Sequence, residues 1–271
     1  MKKVEPYYKS TDRSFTLLKG DCKDVLQDFE FKFDMIFADP PYFLSNGGIT
    51  LHNGQKACVN KGEWDKSYGM GFMNAFNESW LKQCKEKLKP EGTIWISSSY
   101  HNIFSIGETL NRLNFKILNI ITWVKVSPPN TISCHCFTHS AEYIIWARYC
   151  KETIHYYNYN YMKILNNDKQ MTDVWHLPAV ARWEKSCGKH PTQKPLGLLA
   201  RLIIASTHPG DWILDPFNGS GTTGIAANLL KRKFLGIDTC KEYLELSKSR
   251  RMEIDKIEIA NQYYKNLHIE L

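Results

Sequence analysis

No stretch of the 271 residues approaches the ~20 consecutive apolar, uncharged positions needed to cross a bilayer, so a helical membrane protein is excluded. Behind the charged start Met1-Lys2-Lys3-Val4-Glu5-Pro6 there is no apolar run, so no secretory signal is expected. Cysteine is sparse: eight residues at irregular spacings are too few for a disulfide scaffold, and point to a reduced, cytoplasmic protein. Repeats and low-complexity tracts are missing, which excludes solenoid, collagenous and disordered classes. Acid is in short supply, with 28 Asp and Glu against 35 Lys and Arg, a net charge of +7. A moderately basic surface favours an anionic partner. With it come 14 Tyr and 8 Trp, residue types that stack on nucleobases but more often fill a core. The apolar fraction of 43% is ordinary for a globular chain that buries a real core.

Short apolar runs alternate with helix-length segments, the pattern of parallel strands joined by crossover helices. Strands are predicted at Phe15–Leu18, Asp34–Ala38, Thr93–Ser97, Phe115–Val124, Glu142–Ala147, Trp212–Leu214 and Lys233–Ile237. Helices are predicted at Met73–Leu88, Ile103–Leu113, Leu196–Thr207, Thr223–Leu230 and Tyr243–Ile259. Two stretches break the alternation. The polar segment Phe43–Gly69, with five glycines, reads as a long mobile loop. Tyr149–Lys189, rich in Tyr and Asn, reads as an inserted recognition region. The domain division expected is therefore 1–148, 149–188 and 189–271, the first and last being halves of one α/β domain.

Two strand ends carry chemistry. In Asp34-Met-Ile-Phe-Ala-Asp-Pro-Pro-Tyr42 an apolar strand delivers Asp39 to its C-terminal end, the edge where open α/β sheets bind ligands. Pro40 and Pro41 fix the backbone beyond it, so nearby carbonyls point in set directions. Asp39 and the Asp39 or Pro40 carbonyl are acceptors, and Tyr42 is a flat face. That corner suits a planar group bearing an NH₂ with two hydrogens to donate; a plain turn capped by an Asp would have no use for the aromatic ring.

The second strand end is Asp211-Trp-Ile-Leu-Asp-Pro-Phe-Asn-Gly-Ser-Gly-Thr-Thr-Gly224. Gly219, Gly221 and Gly224 satisfy G-x-G-x-x-G, and Asp238 ends the next strand where a ribose-binding acid is expected. By itself this spacing would read as a dinucleotide site. Asp215, however, stands at the strand tip, where it would repel a pyrophosphate and attract an ammonium. A cofactor with adenosine, a ribose diol and an amino-acid tail fits better, which is S-adenosylmethionine. Thr222 and Thr223 open the following helix, whose N-terminus suits the tail carboxylate. Asp21, with Cys22 beside it, offers a third acid at the end of Phe15–Leu18, for the adenine amino group.

These residues resemble a known family. Asp39-Pro-Pro-Tyr42 and Phe217-Asn-Gly-Ser-Gly221 are similar to the catalytic and cofactor motifs of amino-group DNA methyltransferases. The catalytic motif coming first, with a large insert before the cofactor motif, resembles their β class. Gly188-Lys-His-Pro-Thr-Gln-Lys-Pro195, Gly62-Glu-Trp-Asp65, Leu88-Lys-Pro-Glu-Gly92 and Phe234-Leu-Gly-Ile-Asp238 extend the likeness over nearly the whole chain. The finer likeness, in Asp39–Gly48 and Tyr156–Trp175, is to the adenine methylases of DpnII-type GATC systems. The resemblance implies a Rossmann-like fold with a mostly parallel doubly wound sheet in permuted order. It implies Asp39, Pro40, Pro41 and Tyr42 as catalytic residues. Asp21, Cys22, Lys194, Asp215, Phe217, Gly219, Gly221, Thr222, Thr223 and Asp238 are then the cofactor residues. It further implies DNA as partner, double-stranded and also single-stranded in some enzymes, a homodimer, and a cognate restriction endonuclease.

Other readings were weighed. Cytosine N4 methylation is the same chemistry, but such enzymes more often carry Ser where Asp39 stands. An RNA or protein-amide substrate would favour Asn at that position. A non-catalytic binder would not need both motifs intact, and Asp215 disfavours an NAD oxidoreductase. Cys134, His135, Cys136, His139, Cys187 and His190 lack a C-x-x-C pair, so no metal is expected. His139 is read as anchoring the following strand, and His190 as lying near the methionine tail. Phe43 or Trp64 is the expected second wall for a flipped base. Lys231-Arg232-Lys233 reads as a solvated turn, and Lys82, Lys85, Lys87 and Lys89 as a wet helix face. Lys56, Lys61, Lys66, Lys163, Lys169, Arg182 and Lys185 are the expected phosphate contacts.

Overall fold

The computed structural model describes residues 5–43, 49–52, 55–58, 69–126 and 135–267. In chain order the strands are β1 (Tyr8–Lys9), β2 (Phe15–Lys19), β3 (Phe33–Ala38), β4 (Ile49–His52), β5 (Gln55–Cys58), β6 (Leu88–Ser98), β7 (Lys116–Lys125), β8 (Ala141–Arg148), β9 (Val174–Leu177), β10 (Trp212–Asp215) and β11 (Lys233–Asp238). The helices are α1 (Cys22–Gln27), α2 (Met70–Lys87), α3 (Ile103–Arg112), α4 (Tyr159–Ile164), α5 (Leu196–Ser206), α6 (Thr222–Leu229), α7 (Lys241–Glu253) and α8 (Ile257–Leu267).

One sheet of nine strands organises the chain, in the order β1-β2-β11-β10-β3-β6-β8-β7-β9. All neighbours pair in parallel except β1 with β2 and β8 with its two neighbours β6 and β7. The strands are apolar on both faces because helices cover both. Alternation along β3 divides the core: Met35 and Phe37 face α5 and α6, while Ile36 and Ala38 face α1, α2 and α3. α5 is buried almost all round, a helix between the sheet and other elements. On the α5 side Trp95 and Trp146 stack with centroids 4.6 Å apart, and Trp95 Nε1 donates to Ser206 Oγ at 2.9 Å.

The Rossmann-like, mostly parallel sheet expected from the sequence is therefore present; six of the seven predicted strands lie within observed ones, and Phe115–Val124 starts one residue ahead of β7. Three differences have physical reasons. The helix expected at Tyr243–Ile259 is two, because the chain turns after Glu253 and α8 folds back to bury Tyr263 against Trp183. Within 149–188, β9 pairs with β7 in the main sheet and α4 packs on α5. Tyr161 packs against the core, Tyr156 lies against His208, and the exposed Tyr157 against Trp146. The basic runs are less solvated than expected. Arg232 is buried, donating to Thr207 and the Leu230 carbonyl. Lys87 is buried on the Phe29 carbonyl, Lys85 caps the Leu113 carbonyl, and Lys89 pairs with Asp34 at 2.7 Å.

The segment 43–69 carries the antiparallel pair β4–β5. Trp64, Lys61 and Lys66 lie outside the described residues, as do Cys134 and the Gly62–Asp65 motif; of Lys56 only the backbone is described.

Candidate active site

After β3 the chain moves to β6 on one side; after β10 it moves to β11 on the other. The loops leaving β3 and β10 therefore diverge and open a crevice at the C-terminal edge of the sheet, the topological switch point. A cavity of about 260 Å³ lies there. Every candidate residue named above for catalysis and cofactor binding lines it except Gly221: Asp39, Pro40, Pro41 and Tyr42 on one side, and Asp21, Cys22, Lys194, Asp215, Phe217, Gly219, Thr222, Thr223 and Asp238 around the rest. Residues 176 positions apart in sequence, Asp39 and Asp215, meet because β3 and β10 are neighbours.

Asp39 is held at both oxygens. Tyr42 donates its hydroxyl to Asp39 Oδ1 at 2.8 Å, and Lys194 Nζ donates to Oδ2 at 2.5 Å. With the Tyr42 proton committed to Asp39, the Ser97 hydroxyl 2.7 Å away donates to Tyr42. Tyr42, expected as an open stacking face, is only 8% exposed. Burial, with the Asp39 and Glu142 carboxylates adding to it, pushes its phenol well above the usual range, so it remains a donor. The Pro41 carbonyl is held by Asn102 Nδ2 at 3.4 Å, and Asn102 in turn by Asn77 at 2.8 Å. Phe43 does not line the cavity; it packs edge-on against Phe72 and Phe76, and Phe76 is the wall.

On the opposite side Asp215 accepts from Phe217 N at 3.0 Å and from Thr223 Oγ1 at 2.6 Å. Burial raises its carboxyl to about 7, against these hydrogen bonds and with Asp39 and Asp238 adding negative charge. A carboxylate so destabilised is a ready partner for a cation. Asp238 is raised too, by burial, while accepting from Gly219 N and Cys240 N at 2.7 and 2.8 Å. Asp21 caps α1 through Lys23 N, and the buried Cys22 thiol is pushed up to about 12, leaving it neutral. Gly221 turns the loop at φ +76°, and a Cβ there would fall 2.0 Å from Ser247 Oγ. Beneath the loop Arg250, 1% exposed, donates to the Ser220 carbonyl and Thr222 Oγ1, both at 2.8 Å. His190 lies over Gly219 and against Tyr243.

Sequence reasoning missed Ser97, Asn77, Asn102, Glu142 and Arg250. Arg250 and its neighbour Arg251 are both buried on α7, so the arginine pair was the available signal; for the others none stands out from ordinary polar residues. His139 stacks on Tyr100 at 4.1 Å. Among the described residues no group of three or more His, Cys, Asp or Glu is placed to hold a metal.

The donor set fits S-adenosylmethionine: the buried Asp215 with the part-exposed Asp21, Asp39 and Asp238 around one cavity, a glycine turn that a side chain would block, and aromatic walls. A sheet of this order with such a crevice defines the fold class of S-adenosylmethionine-dependent methyltransferases. The DNA methylase family N6_N4_Mtase matches residues 33–249. The chain is 52% identical over 270 residues, 99% of its length and 98% of the relative's, to the type II methyltransferase M2.MboI of Moraxella bovis. It is 52% identical over 249 residues, 91% of this chain and 92% of the relative, to M2.DpnII of Streptococcus pneumoniae. Among solved structures it is similar to the M1.HpyAVI complex with S-adenosylmethionine, at TM-score 0.67 and 28% identity, covering 88% of this chain and 98% of that one. The cytosine-N4-specific PvuII DNA methyltransferase, at TM-score 0.73 and 19% identity over 98% of this chain and 96% of that one, shares the fold. The protein belongs to the DNA methylase family of amino-group methyltransferases. It is thus an enzyme that uses S-adenosylmethionine to methylate DNA.

Proposed function

We propose that the amino group methylated is N6 of a flipped-out adenine, in GATC, within a type II restriction-modification system. One observation carries this reading: Asp39, an acceptor at a strand tip, faces the buried Asp215 and the part-exposed Asp238 across a single cavity. Asp rather than Ser at that position supports adenine over cytosine. Relatives about half identical and named type II methyltransferases of DpnII and MboI systems support the sequence context.

Asp215 holds the amino end of the cofactor's tail, Thr222 and Thr223 its carboxylate, Asp238 the ribose, and Asp21 the adenine amino group. S-adenosylmethionine supplies an electrophilic methyl on a sulfonium, a good leaving group. The lone pair of N6 is delocalised into the ring, so the amine is a weak nucleophile. Asp39 and the Pro40 carbonyl accept its two hydrogens, favouring a more tetrahedral nitrogen with its lone pair localised. Asn77 and Asn102 keep the loop carbonyls aimed. Charge moves from sulfur to nitrogen, and the acids around the cavity stabilise it there. Holding the two reacting atoms at attack distance contributes up to ~7–11 kcal/mol. The target is paired in duplex DNA and must leave the stack; Tyr42 and Phe76 offer aromatic surface to it. Residues 149–188 supply sequence recognition, with Arg182 and Lys185 among the phosphate contacts. The enzyme works in the cytoplasm beside a cognate endonuclease, and as a homodimer in keeping with its class.

Transfer of labelled methyl to matched duplexes with and without GATC, followed by nucleoside analysis, tests this. N6-methyladenine in the GATC duplex alone is expected. N4-methylcytosine, or label independent of GATC, overturns the corresponding part.

A further inference from the structure

Among the described residues, Lys194 is the one cation in the cavity wall, and the transfer chemistry above does not use its place. Its side chain is 7% exposed. Nζ lies 2.5 Å from Asp39 Oδ2 and 5.3 Å from the centroid of the Tyr42 ring. A carboxylate acceptor and an aromatic face are what the reading above, on which this inference rests, assigns to the target's amino group and ring. The ammonium thus makes with Asp39 the N–H to carboxylate bond that the target must make.

A second carboxylate stands by. Glu142, at the start of β8, has Oε2 3.9 Å from Lys194 Nζ, while its Oε1 is paired with Lys125 at 2.6 Å. The four side chains form an alternating row of charge, Asp39, Lys194, Glu142 and Lys125, leading outward from the cavity. A buried ammonium stripped of partners is strongly disfavoured. Placed between two carboxylates, it can pass from one to the other by torsion of its own side chain without being left bare. Burial disfavours the charged lysine, but Asp39, Glu142 and Asp215 more than offset it and keep the ammonium protonated.

We propose that Lys194 is a positioning residue that holds the place of the target amino group, sitting on Asp39 while the base is absent and moving to Glu142 when it enters. The empty enzyme then keeps Asp39 oriented without an unpaired buried charge. An entering base is selected for an amino group able to displace an ammonium.

The test uses a duplex that the full-length enzyme methylates, and the same duplex with purine, which lacks the amino group, at the target position. Affinity is measured by fluorescence anisotropy with S-adenosylhomocysteine present. Lys194→Met removes the competitor, so preference for adenine over purine rises about fivefold, the worth of one net hydrogen bond, and the KM for DNA falls. Glu142→Gln removes the resting place, so the preference falls by a similar factor. In the double variant the Glu142→Gln loss disappears. A fall in preference for Lys194→Met, or a Glu142→Gln loss that persists in the double variant, overturns the inference. If Lys194→Met no longer unfolds cooperatively on heating, Glu142→Gln alone decides, and an unchanged preference overturns it. A wild-type enzyme that methylates no DNA overturns the reading of the function and this inference together.

Discussion

At Asp215, burial leaves the ionised carboxylate poorly stabilised by the protein alone. Its carboxyl sits at about 7 in the ligand-free protein, against about 4 in an unfolded chain. The folded state therefore binds this proton more tightly than the unfolded one, and as pH rises from about 4 toward 7 the ionised Asp215 weighs against the fold. An ammonium beside it reverses the balance and draws the carboxyl back down. S-adenosylmethionine binding should then release a proton below about pH 7, and its Kd should rise by up to about tenfold per unit of acidification there. Isothermal titration in buffers of different ionisation enthalpy measures the released proton directly. A Kd flat between pH 5.5 and 8 would mean that Asp215 carries no cation.

At the scale of elements, the loop from β10 into α6 is built from two neighbours it must not touch. Gly221 has a left-handed backbone, and Ser247 of α7 fills the space a side chain would need. Gly221→Ala should weaken S-adenosylmethionine binding by at least tenfold while the sheet, and hence most of the thermal stability, survives; equilibrium binding and a melting curve separate the two effects. Gly224 packs α6 onto the sheet, with a Cβ position 2.4 Å from Phe15, so the G-x-G-x-x-G spacing reports close packing as much as ligand contact. This loop was legible in the sequence because glycine leaves a pattern in one dimension. The supports of Asp39 were not. Ser97 and Glu142 come from two strand ends, Asn102 from the N-cap of α3 and Lys194 from a distant loop, and only the strand order brings them together. Lys194 was placed with the cofactor residues by its motif, and it does line their cavity, but its ammonium is on Asp39.

For the whole molecule, short apolar runs set between helix-length segments were enough to find the seven strands of the sheet's interior. The short elements, β1, α1, α4 and β9, carry too few residues for a period to show. The segment 149–188 was legible as an interruption, yet its composition hid that β9 extends the main sheet and that its tyrosines cover Trp146 and His208. A basic net charge of +7 on a DNA enzyme predicts binding that weakens steeply with salt. Arg182 and Lys185 flank the turn leading into the cavity segment. Each changed to Ala should lower the slope of log K against log salt by about one; unchanged slopes would place the duplex elsewhere.

The proposed transfer needs Asp39 as the acceptor for the reacting amine, separately from the cofactor's hold on the cavity. The most direct measurement is turnover and S-adenosylmethionine affinity in Asp39→Ala, side by side. Methyl transfer should fall by on the order of 10³-fold or more, with the cofactor still bound. Turnover near that of the wild type would contradict the mechanism, whatever the affinity.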